Sequence, residues 1–435
     1  MTTSLERLEQ CLVRIHGDSE RARRIFTHLY EDSAREEAQA ADARARHGRS
    51  LGPLDGRIVS VKDLLDVAGT VTTAGSRLLA QAPAARQDAA VVARLRAAGC
   101  VVIGKTNMTE FAFSGIGINP HFGTPGNARD ATRIPGGSSS GAGVAVALGL
   151  CEIAVGSDTG GSVRIPAALN GVTGFKPSVQ RVPREGAFPL SFSLDSIGPL
   201  AASVADCAMA DAVMAGLSPD QAELPERRVR GLRIAVPRGL LFSEADAQVL
   251  QAFEQALEVL RRQGAQIDDV AWDEWLSAPF QIQRKGTLIA AEAAAIHQPY
   301  LPDRAAEYDP LVLARIERGM ALDAASYIRI LQQRVQLQRA FDRRMTGYDL
   351  VMLPTVVFTA PSIASLADEE AFMKANALAL RNTSVFNFHD LPALSLPAPR
   401  DAQELPVGLM FAGARLADRA VLALGLAIER ALHAA

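Results

Sequence analysis

Short apolar runs broken by glycine alternate with helical patterns in the first half of the chain. Residues 57–62, 100–104 and 153–156 are β-branched runs that predict buried strands, and residues 89–98 have the spacing of a helix. Buried strands that alternate with helices are typical of sheets with parallel pairs. The pattern therefore predicts the α/β class.

The second half of the chain repeats this alternation with longer helical segments. The apolar spacing predicts strands over residues 232–237, 348–354 and 391–396, and helices over residues 245–263 and 418–431. Residues 278–345 are helical in pattern with few breaks, and we expect them to form a helical cap. Because the chain has no internal repeat and no Ser/Gly linker, one continuous domain over residues 51–435 is favoured.

The N-terminal residues 3–49 are predicted to be helical. Thr3 and Glu6 have the spacing of a capping box, and a second helix is expected after Asp18. The apolar residues at helical spacing are Leu5, Leu8, Leu12 and Ile15. We expect residues 1–50 to form a helical segment that packs on the core or makes a homodimer contact, and the sequence does not choose between the two.

Composition and charge exclude several classes of function. Of the 435 residues, 48% are apolar and 21% are charged, which is typical of a globular protein. The formal net charge of −3 leaves no diffuse basic surface for nucleic acid or anionic lipid. The most apolar stretch, residues 141–151, is far shorter than the roughly 20 residues that span a bilayer. We expect neither nucleic acid nor a membrane as a partner.

The cysteines and the N-terminus indicate a cytoplasmic protein. The chain has four cysteines without a CxxC pair, and we interpret them as reduced core residues rather than metal ligands. They are Cys11, Cys100, Cys151 and Cys207. Residues 1–14 contain Glu6 and Glu9, unlike the acid-free, apolar start of an export signal.

Two segments rich in glycine and serine, residues 135–143 and 156–167, are the main candidates for chemistry. Dense glycine lets the backbone approach a ligand and lets successive N–H groups converge on an anion. Taken singly, each segment also has the composition of an ordinary turn. A phosphate-binding loop is excluded because neither segment ends in Gly-Lys-Ser/Thr.

One alternative makes Ser139 a nucleophile. Residues 137–141 match the Gly-x-Ser-x-Gly elbow, in which a serine is served by a later Asp and His. The elbow needs a strand before it, whereas residues 130–136 are not apolar and Pro135 cannot donate to a sheet ladder. His389 is the histidine in the most promising setting. This hydrolase interpretation remains a remote alternative.

Lys62 ends the strand predicted over residues 57–62, which is an unusual place for a charge. Burial there would lower its pKa from about 10.4 towards the value of about 7–8 that suits a base near neutral pH. Considered alone, a lysine at a strand end commonly reaches solvent. Its pairing with the two serine-containing segments makes it a candidate base.

Together these residues resemble the amidase signature family of serine hydrolases. Residues 136–141 and 160–166 are similar to its glycine- and serine-rich signature, and residues 61–63 stand where the family has its lysine. Ser138 and Ser162 are 24 residues apart, as in the family. Further similar segments are residues 104–111, 174–178, 193–199, 349–355 and 391–397. The resemblance implies a large central mixed β-sheet with helices on both faces.

The resemblance also implies a Ser–Ser–Lys triad. Ser162 would be the nucleophile, Ser138 the bridging serine after a cis Gly137–Ser138 peptide, and Lys62 the base. The implied oxyanion hole consists of the backbone N–H groups of Thr159, Gly160, Gly161 and Ser162. The implied supporting residues are Ser139, which would help to hold Lys62, and the ion pair of Asp158 with Arg164.

The implied reaction is hydrolysis of the C–N bond of a small carboxylic amide, through an acyl-enzyme on Ser162, to an acid and ammonia or an amine. Neither a metal nor an organic cofactor is needed. The alternative is a glutaminase subunit of a transfer-RNA-dependent amidotransferase, because those subunits share the signature.

The substrate pocket is the least defined part of this hypothesis. The residues that stand where the family lines its acyl pocket are Phe111, Ala112 and Phe113, with Phe188, Phe192 and Phe388 as further candidates. No clustered arginines indicate an acidic substrate, although one arginine from residues 278–345 could reach the site. We expect a small or aryl amide.

Overall fold

One mixed sheet of eleven strands runs through the part of the chain that the computed structural model describes, residues 2–399 and 404–434. Its strands are β1 (Phe26–Leu29), β2 (Ile58–Lys62), β3 (Val101–Thr106), β4 (Ile153–Asp158), β5 (Thr173–Lys176), β6 (Ser196–Ala201), β7 (Arg233–Val236), β8 (Gln266–Asp269), β9 (Leu350–Pro354), β10 (Ala393–Pro397) and β11 (Gly408–Ala412). Their order across the sheet is β1-β3-β2-β4-β6-β5-β10-β11-β9-β7-β8. Strand β2 is parallel to β3 and β4, and β7 is parallel to β8 and β9, while the other neighbours are antiparallel.

Helices account for most of the remaining described residues. The α-helices are α1 (Ser4–Gly17), α2 (Ser19–Ile25), α3 (Glu31–Arg46), α4 (Ala90–Ala97), α5 (Ser140–Ala147), α6 (Arg164–Asn170), α7 (Val204–Ala215), α8 (Pro219–Ala222), α9 (Ala247–Arg262), α10 (Asp273–Ile282), α11 (Leu288–His297), α12 (Leu301–Arg304), α13 (Pro310–Met320), α14 (Ala324–Met345), α15 (Glu369–Phe388) and α16 (Asp418–His433). Short 3₁₀ helices lie at Arg77–Leu79, Glu110–Ala112, Leu240–Phe242, Ala305–Glu307 and Ala364–Leu366.

Successive side chains of the central strands enter two different apolar cores. On β2, Val59 and Val61 belong to a core that includes α4, α7, α9 and α16, whereas Ile58 belongs to one that includes α1, α5 and α6. Neighbouring residues of a strand point to opposite faces of the sheet. Helices therefore cover both faces, and the predicted fold class is confirmed.

The strands predicted from apolar runs are all present, with ends shifted by a few residues. Besides β1, which is described in the next paragraph, four further strands were not predicted. Strand β6 has Gly198 and Pro199 at its centre, and Gly198 is required there because a Cβ would collide with the Phe175 carbonyl oxygen of β5. Strand β8 is polar because it forms the exposed edge of the sheet. The other two are β5 and β11.

The prediction of helix over residues 3–49 is wrong at β1. Phe26–Leu29 pairs antiparallel with β3 and so extends the sheet. This close approach depends on Gly104 of β3, where a Cβ would collide with the His28 carbonyl oxygen and lie 3.1 Å from Leu29 Cδ2. Backbone pairing of this kind leaves no trace in apolar spacing. The domain boundary at residue 50 remains a prediction.

The helical stretch over residues 278–345 is interrupted more often than its pattern indicates. Three of the helices start at a polar N-cap, whose side chain accepts a hydrogen bond from the first turn: Thr287 for α11, Asp309 for α13 and Asp323 for α14. A single capping residue interrupts helical spacing too briefly to be seen in the apolar pattern.

No helix in the described residues has both the length and the hydropathy needed to cross a bilayer. The four cysteines are free and buried, as predicted.

Replacement of Gly104 by alanine tests the role of β1. We expect Gly104→Ala to lower the free energy of unfolding by about 1–3 kcal/mol, because the new methyl group forces β1 away from β3. The matched control is Gly17→Ala, where a Cβ meets nothing within 4 Å and the change should stay within about 0.5 kcal/mol. Urea unfolding measures both, and equal stabilities would contradict the role assigned to Gly104.

Candidate active site

The two glycine- and serine-rich segments meet at the ends of neighbouring strands. Strand β2 ends at Lys62 and strand β4 ends at Asp158, and the two strands are parallel. The first segment leads into α5, which begins at Ser140. Carboxyl ends of parallel strands lie at the same edge of a sheet, and in open α/β sheets ligands bind in the crevice outside that edge.

The Lys62 amine is enclosed by serines. The side chain is 0% exposed, and Nζ lies 2.7 Å from Ser138 Oγ and 2.9 Å from Ser157 Oγ. Burial lowers the pKa of Lys62 to about 7, although the negative charges of Asp158 and Asp195 oppose the shift. A large fraction of this amine is therefore neutral near pH 7, and the alternative that Lys62 reaches solvent is wrong.

Ser138 lies between the lysine and the segment that carries Ser162. The Gly137–Ser138 peptide is cis, as the resemblance implies. The Ser138 carbonyl accepts a hydrogen bond from the Thr109 N–H at 3.0 Å. The next residue, Ser139, donates its N–H to the Ser162 carbonyl at 3.3 Å. The segments of the two predicted catalytic serines are thus in direct contact.

The expectation that Ser139 holds Lys62 needs correction. The Ser139 hydroxyl donates to the Ser157 carbonyl at 3.3 Å and accepts from the Ser157 N–H at 3.4 Å. It therefore fixes the backbone of Ser157, whose own hydroxyl contacts Lys62. Sequence reasoning missed Ser157, because nothing in the spacing separates it from the other serines of the two segments.

The remote alternative with Ser139 as nucleophile fails on geometry. Ser139 is the N-cap of α5 and follows a loop rather than a strand. His389 is 0% exposed and packs against Phe341, with ring centroids 4.7 Å apart. Burial lowers the pKa of His389 to about 4, and among the described residues it makes no contact with Ser139.

Residues 159–162 form a loop with unused backbone donors. Within the described chain, the N–H groups of Thr159, Gly160, Gly161 and Ser162 donate to no protein atom. The Thr383 hydroxyl donates to the Gly160 carbonyl at 2.6 Å. Because carbonyl and N–H point in opposite directions in a trans peptide, this bond directs the Gly161 N–H away from Thr383.

Gly161 has a conformation that other residues rarely adopt. Its φ is 138°, and a Cβ would collide with Thr383 Oγ1 and lie 2.7 Å from Ile165 Cδ1. At Gly160, by contrast, a Cβ would make only ordinary contacts, the nearest with Leu380 Cδ2 at 3.4 Å. Of the two glycines, Gly161 is the one that the loop requires.

A buried ion pair braces this loop. Asp158 and Arg164 are both 0% exposed, with Nε–Oδ2 and Nη2–Oδ1 distances of 3.0 Å. Asn387 of α15, which sequence reasoning missed, donates to Asp158 Oδ1 at 2.8 Å and accepts from Arg164 at 2.6 Å. Burial alone would raise the pKa of Asp158, but Arg164 outweighs it and holds the pKa at about 2. The predicted pairing is present, and it is not a surface ion pair.

Ser162 lines a cavity of about 230 Å³. Two of the predicted pocket residues, Ala112 and Phe113, line it as well, and so does Phe388. Phe111 does not: it is 1% exposed, and its ring centroid is 4.4 Å from that of His297 in an aromatic cluster. The prediction that Phe111 contacts substrate therefore finds no support in the structure.

A second cavity of about 570 Å³ shares Ala112, Thr159 and Leu190 with the first. Phe188 and Phe192, the remaining candidate pocket residues, line this cavity instead of the one with Ser162. Among the described residues, no group of three or more His, Cys, Asp or Glu side chains is arranged to hold a metal ion.

Comparison with known proteins identifies the family to which a chain with this fold and site belongs. The family model described as Amidase matches residues 6–422. The chain belongs to this family and is a hydrolase that acts on C–N bonds.

Relatives within this class differ in function. A 2-amino-5-chloromuconic acid deaminase of Comamonas testosteroni is 38% identical over 91% of this chain and 86% of the relative. A glutamyl-tRNA(Gln) amidotransferase subunit of Chloroflexus aurantiacus is 36% identical over 98% of this chain and 93% of the relative. A solved structure described as an amidase has a TM-score of 0.89 at 36% identity and covers 99% of this chain and 96% of its own.

Replacement of Asp158 tests whether its buried ion pair with Arg164 stabilises the protein. We expect Asp158→Asn to lower the free energy of unfolding by about 3–5 kcal/mol, because it leaves the Arg164 charge buried without a counter-ion. Since the folded pKa lies below the usual value, the stabilisation is present above about pH 4 and is lost as the pH falls towards 2.

The control for this prediction is Glu258→Gln, which breaks an exposed helical pair with Arg262 at 2.9 Å. It should change stability by no more than about 0.5 kcal/mol. Thermal unfolding at neutral pH compares the two variants, and similar small losses would show that the Asp158 pair does not brace the loop.

Proposed function

We propose that the chain hydrolyses a small carboxylic amide through an acyl-enzyme on Ser162, with Lys62 as base and Ser138 as proton relay. The observation that carries the proposal is the buried Lys62 amine, 2.7 Å from Ser138 Oγ and with a pKa lowered to about 7. A serine hydroxyl is a weak nucleophile until a neighbouring group takes its proton. The neutral amine of Lys62 is such a group, and it acts through the Ser138 hydroxyl.

The two serines around Lys62 suit a neutral amine. A neutral amine has two N–H groups and one lone pair, so it can donate to Ser157 while it accepts the Ser138 proton. Ser138 can then accept a proton from Ser162 as it gives up its own. In this arrangement Ser157 is a positioning residue that holds the lone pair towards Ser138.

The proposed cycle conserves every proton. As Ser162 Oγ bonds to the amide carbon, its proton passes to Ser138 and the Ser138 proton passes to Lys62. The oxyanion that forms is stabilised by the unused N–H groups of residues 159–162, each worth about 3–4 kcal/mol in the transition state. The relay then runs backwards to protonate the leaving nitrogen as the C–N bond breaks. A water molecule repeats the sequence and releases the carboxylic acid.

A glutaminase subunit is the second candidate, and the similarity to the Chloroflexus aurantiacus protein favours it. Such a subunit works inside a complex of several chains, whereas a free-standing amidase needs no partner. Size-exclusion chromatography and an ammonia assay on the purified chain separate the two. Hydrolysis of simple amides by the chain alone supports the amidase, and activity only after addition of other subunits supports the glutaminase.

Replacement of the proposed nucleophile gives the most direct test. We expect Ser162→Ala to reduce amide hydrolysis by at least about 10⁴-fold with the fold intact, because the variant lacks the hydroxyl that forms the acyl-enzyme. The control is Ser140→Ala in the neighbouring segment, whose hydroxyl makes only a 3.4 Å contact with the Asn107 carbonyl. The rate of ammonia or amine formation is compared for the two variants, and normal turnover by Ser162→Ala would refute its assignment as the nucleophile.

The pH dependence tests the proposed base. Because the active form of Lys62 is neutral, kcat/KM for an uncharged amide should fall about tenfold per pH unit below about 7 and level off above it. Lys62→Arg should be inactive across this range, since a guanidinium keeps its proton. The rate profile is measured beside circular dichroism, and a flat profile in a folded protein would rule out Lys62 as the titrating base.

A further inference from the structure

One cation lines the cavity that contains Ser162. Arg315 of α13 is 8% exposed, and its Nη1 donates to the Phe113 carbonyl at 2.5 Å. Its Nη2 contacts the Met373 sulfur at 3.7 Å, and its Nε has no hydrogen-bond partner. A guanidinium has five N–H donors, and a thioether is a weak acceptor. Most of the hydrogen-bonding capacity of Arg315 is therefore unused by the protein.

The surroundings of Arg315 in the described part of the chain also contain no paired carboxylate. Among the described residues no carboxylate forms an ion pair with it, in contrast to the buried Arg164 with its Asp158 partner. Burial lowers the pKa of Arg315 to about 10, against the pull of Asp309, and so the group is still cationic at neutral pH. The face of the Phe372 ring, 5.4 Å from the guanidinium carbon, offsets part of the cost of this buried charge. A bound carboxylate would offset more, because it supplies a full counter-charge.

Asn376 adds a second donor to the same cavity. Its side-chain carbonyl accepts hydrogen bonds from the Ser114 hydroxyl and the Gly115 N–H, both at 2.9 Å. Because a backbone N–H can only donate, these contacts fix the oxygen and leave the amide NH₂ without a described acceptor. None of the described residues that line the cavity is acidic. The cavity thus combines a cation and a free amide donor.

We propose that Arg315 binds a carboxylate of the substrate, and that the substrate is the monoamide of a short dicarboxylic acid. Its amide carbonyl would lie at Ser162 and its carboxylate at Arg315 and Asn376. A guanidinium matches the planar carboxylate with two parallel hydrogen bonds. The cavity of about 230 Å³ is smaller than the roughly 300 Å³ of small ligand pockets, so it favours a short acyl chain. This inference rests on the proposed amide hydrolysis and narrows its substrate class.

The same cavity disfavours glutamine, which carries an ammonium group next to its carboxylate. An ammonium near Arg315 would meet a like charge, and no described acidic residue of the cavity can pair with it. Glutaramate, which is glutamine without the ammonium, should therefore be the better substrate of the two.

Matched substrates test the proposal in the unmodified chain. Succinamate and glutaramate are compared with neutral isosteres in which a methyl ketone replaces the carboxylate, namely 4-oxopentanamide and 5-oxohexanamide. We expect kcat/KM to favour the anionic amide by at least about 100-fold, because the isostere leaves the Arg315 donors unpaired. A ratio near one would overturn the proposal, and it would leave the amide hydrolysis itself intact.

Variants then assign the preference to one side chain. Arg315→Met should reduce the anionic-to-neutral ratio to within about threefold of one, and Arg315→Lys should reduce it about tenfold, since an ammonium lacks the planar fork. Arg318→Met, which removes an exposed charge from the same helix, should keep the ratio of the unmodified chain. An unchanged ratio in Arg315→Lys would overturn the proposal even if Arg315→Met does not fold.

A binding measurement separates failure of this proposal from failure of the proposed reaction. Calorimetric titration of Ser162→Ala with glutaramate requires no turnover. Saturable binding that is lost in the Ser162→Ala, Arg315→Met double variant supports the anion site even if no amide is hydrolysed. Absence of glutaramate binding to Ser162→Ala overturns it, whatever the rates of the unmodified chain.

Discussion

Exclusion of water from the Lys62 amine is the constraint on which the site depends. In water the amine would keep its proton, and only full burial between two parallel strands brings its pKa to about 7. Burial to that extent needs helices on both faces of the sheet and glycine-rich backbone close to the lysine. The two serine hydroxyls around Nζ then satisfy the polar group without restoring its charge. The same packing that gives the fold its core thus sets the acid–base chemistry of the site.

Two buried arginines of this molecule, Arg164 and Arg315, have different surroundings. Asp158 and Arg164 neutralise each other and are completed by Asn387, an arrangement that stabilises the loop and offers nothing to a ligand. Arg315 is 8% exposed and contacts one carbonyl, a thioether and the face of the Phe372 ring. Arg315 keeps an unpaired Nε–H among its donors in the cavity with Ser162, and a bound anion would satisfy its unused donors.

Local pattern predicted the parts of the molecule that are encoded locally. The apolar strands and the two glycine-rich segments are read from neighbouring residues, and the family resemblance adds the roles of Lys62, Ser138 and Ser162. Thr383 and Asn387 reach the site from a helix far along the chain, so only the folded topology shows them. The sequence allows one arginine of residues 278–345 to reach the site, and the topology shows that it is Arg315. The resemblance assigns Phe111 to the pocket together with the rest of its segment, although the ring lies outside it. The spacing of residues in the sequence does not show the orientation of a single side chain such as the Phe111 ring.

The order of strands in the sheet also has a consequence for biosynthesis. Strand β5 lies between β6 and β10, and β10 is made near the end of the chain. Until β10 leaves the ribosome, one side of β5 presents unpaired N–H and C=O groups, which can pair with another nascent chain. Premature termination anywhere between β5 and β10 would therefore leave β5 as an unpaired, aggregation-prone edge of an incomplete sheet. Intact translation of the C-terminal quarter protects the polypeptide from self-association.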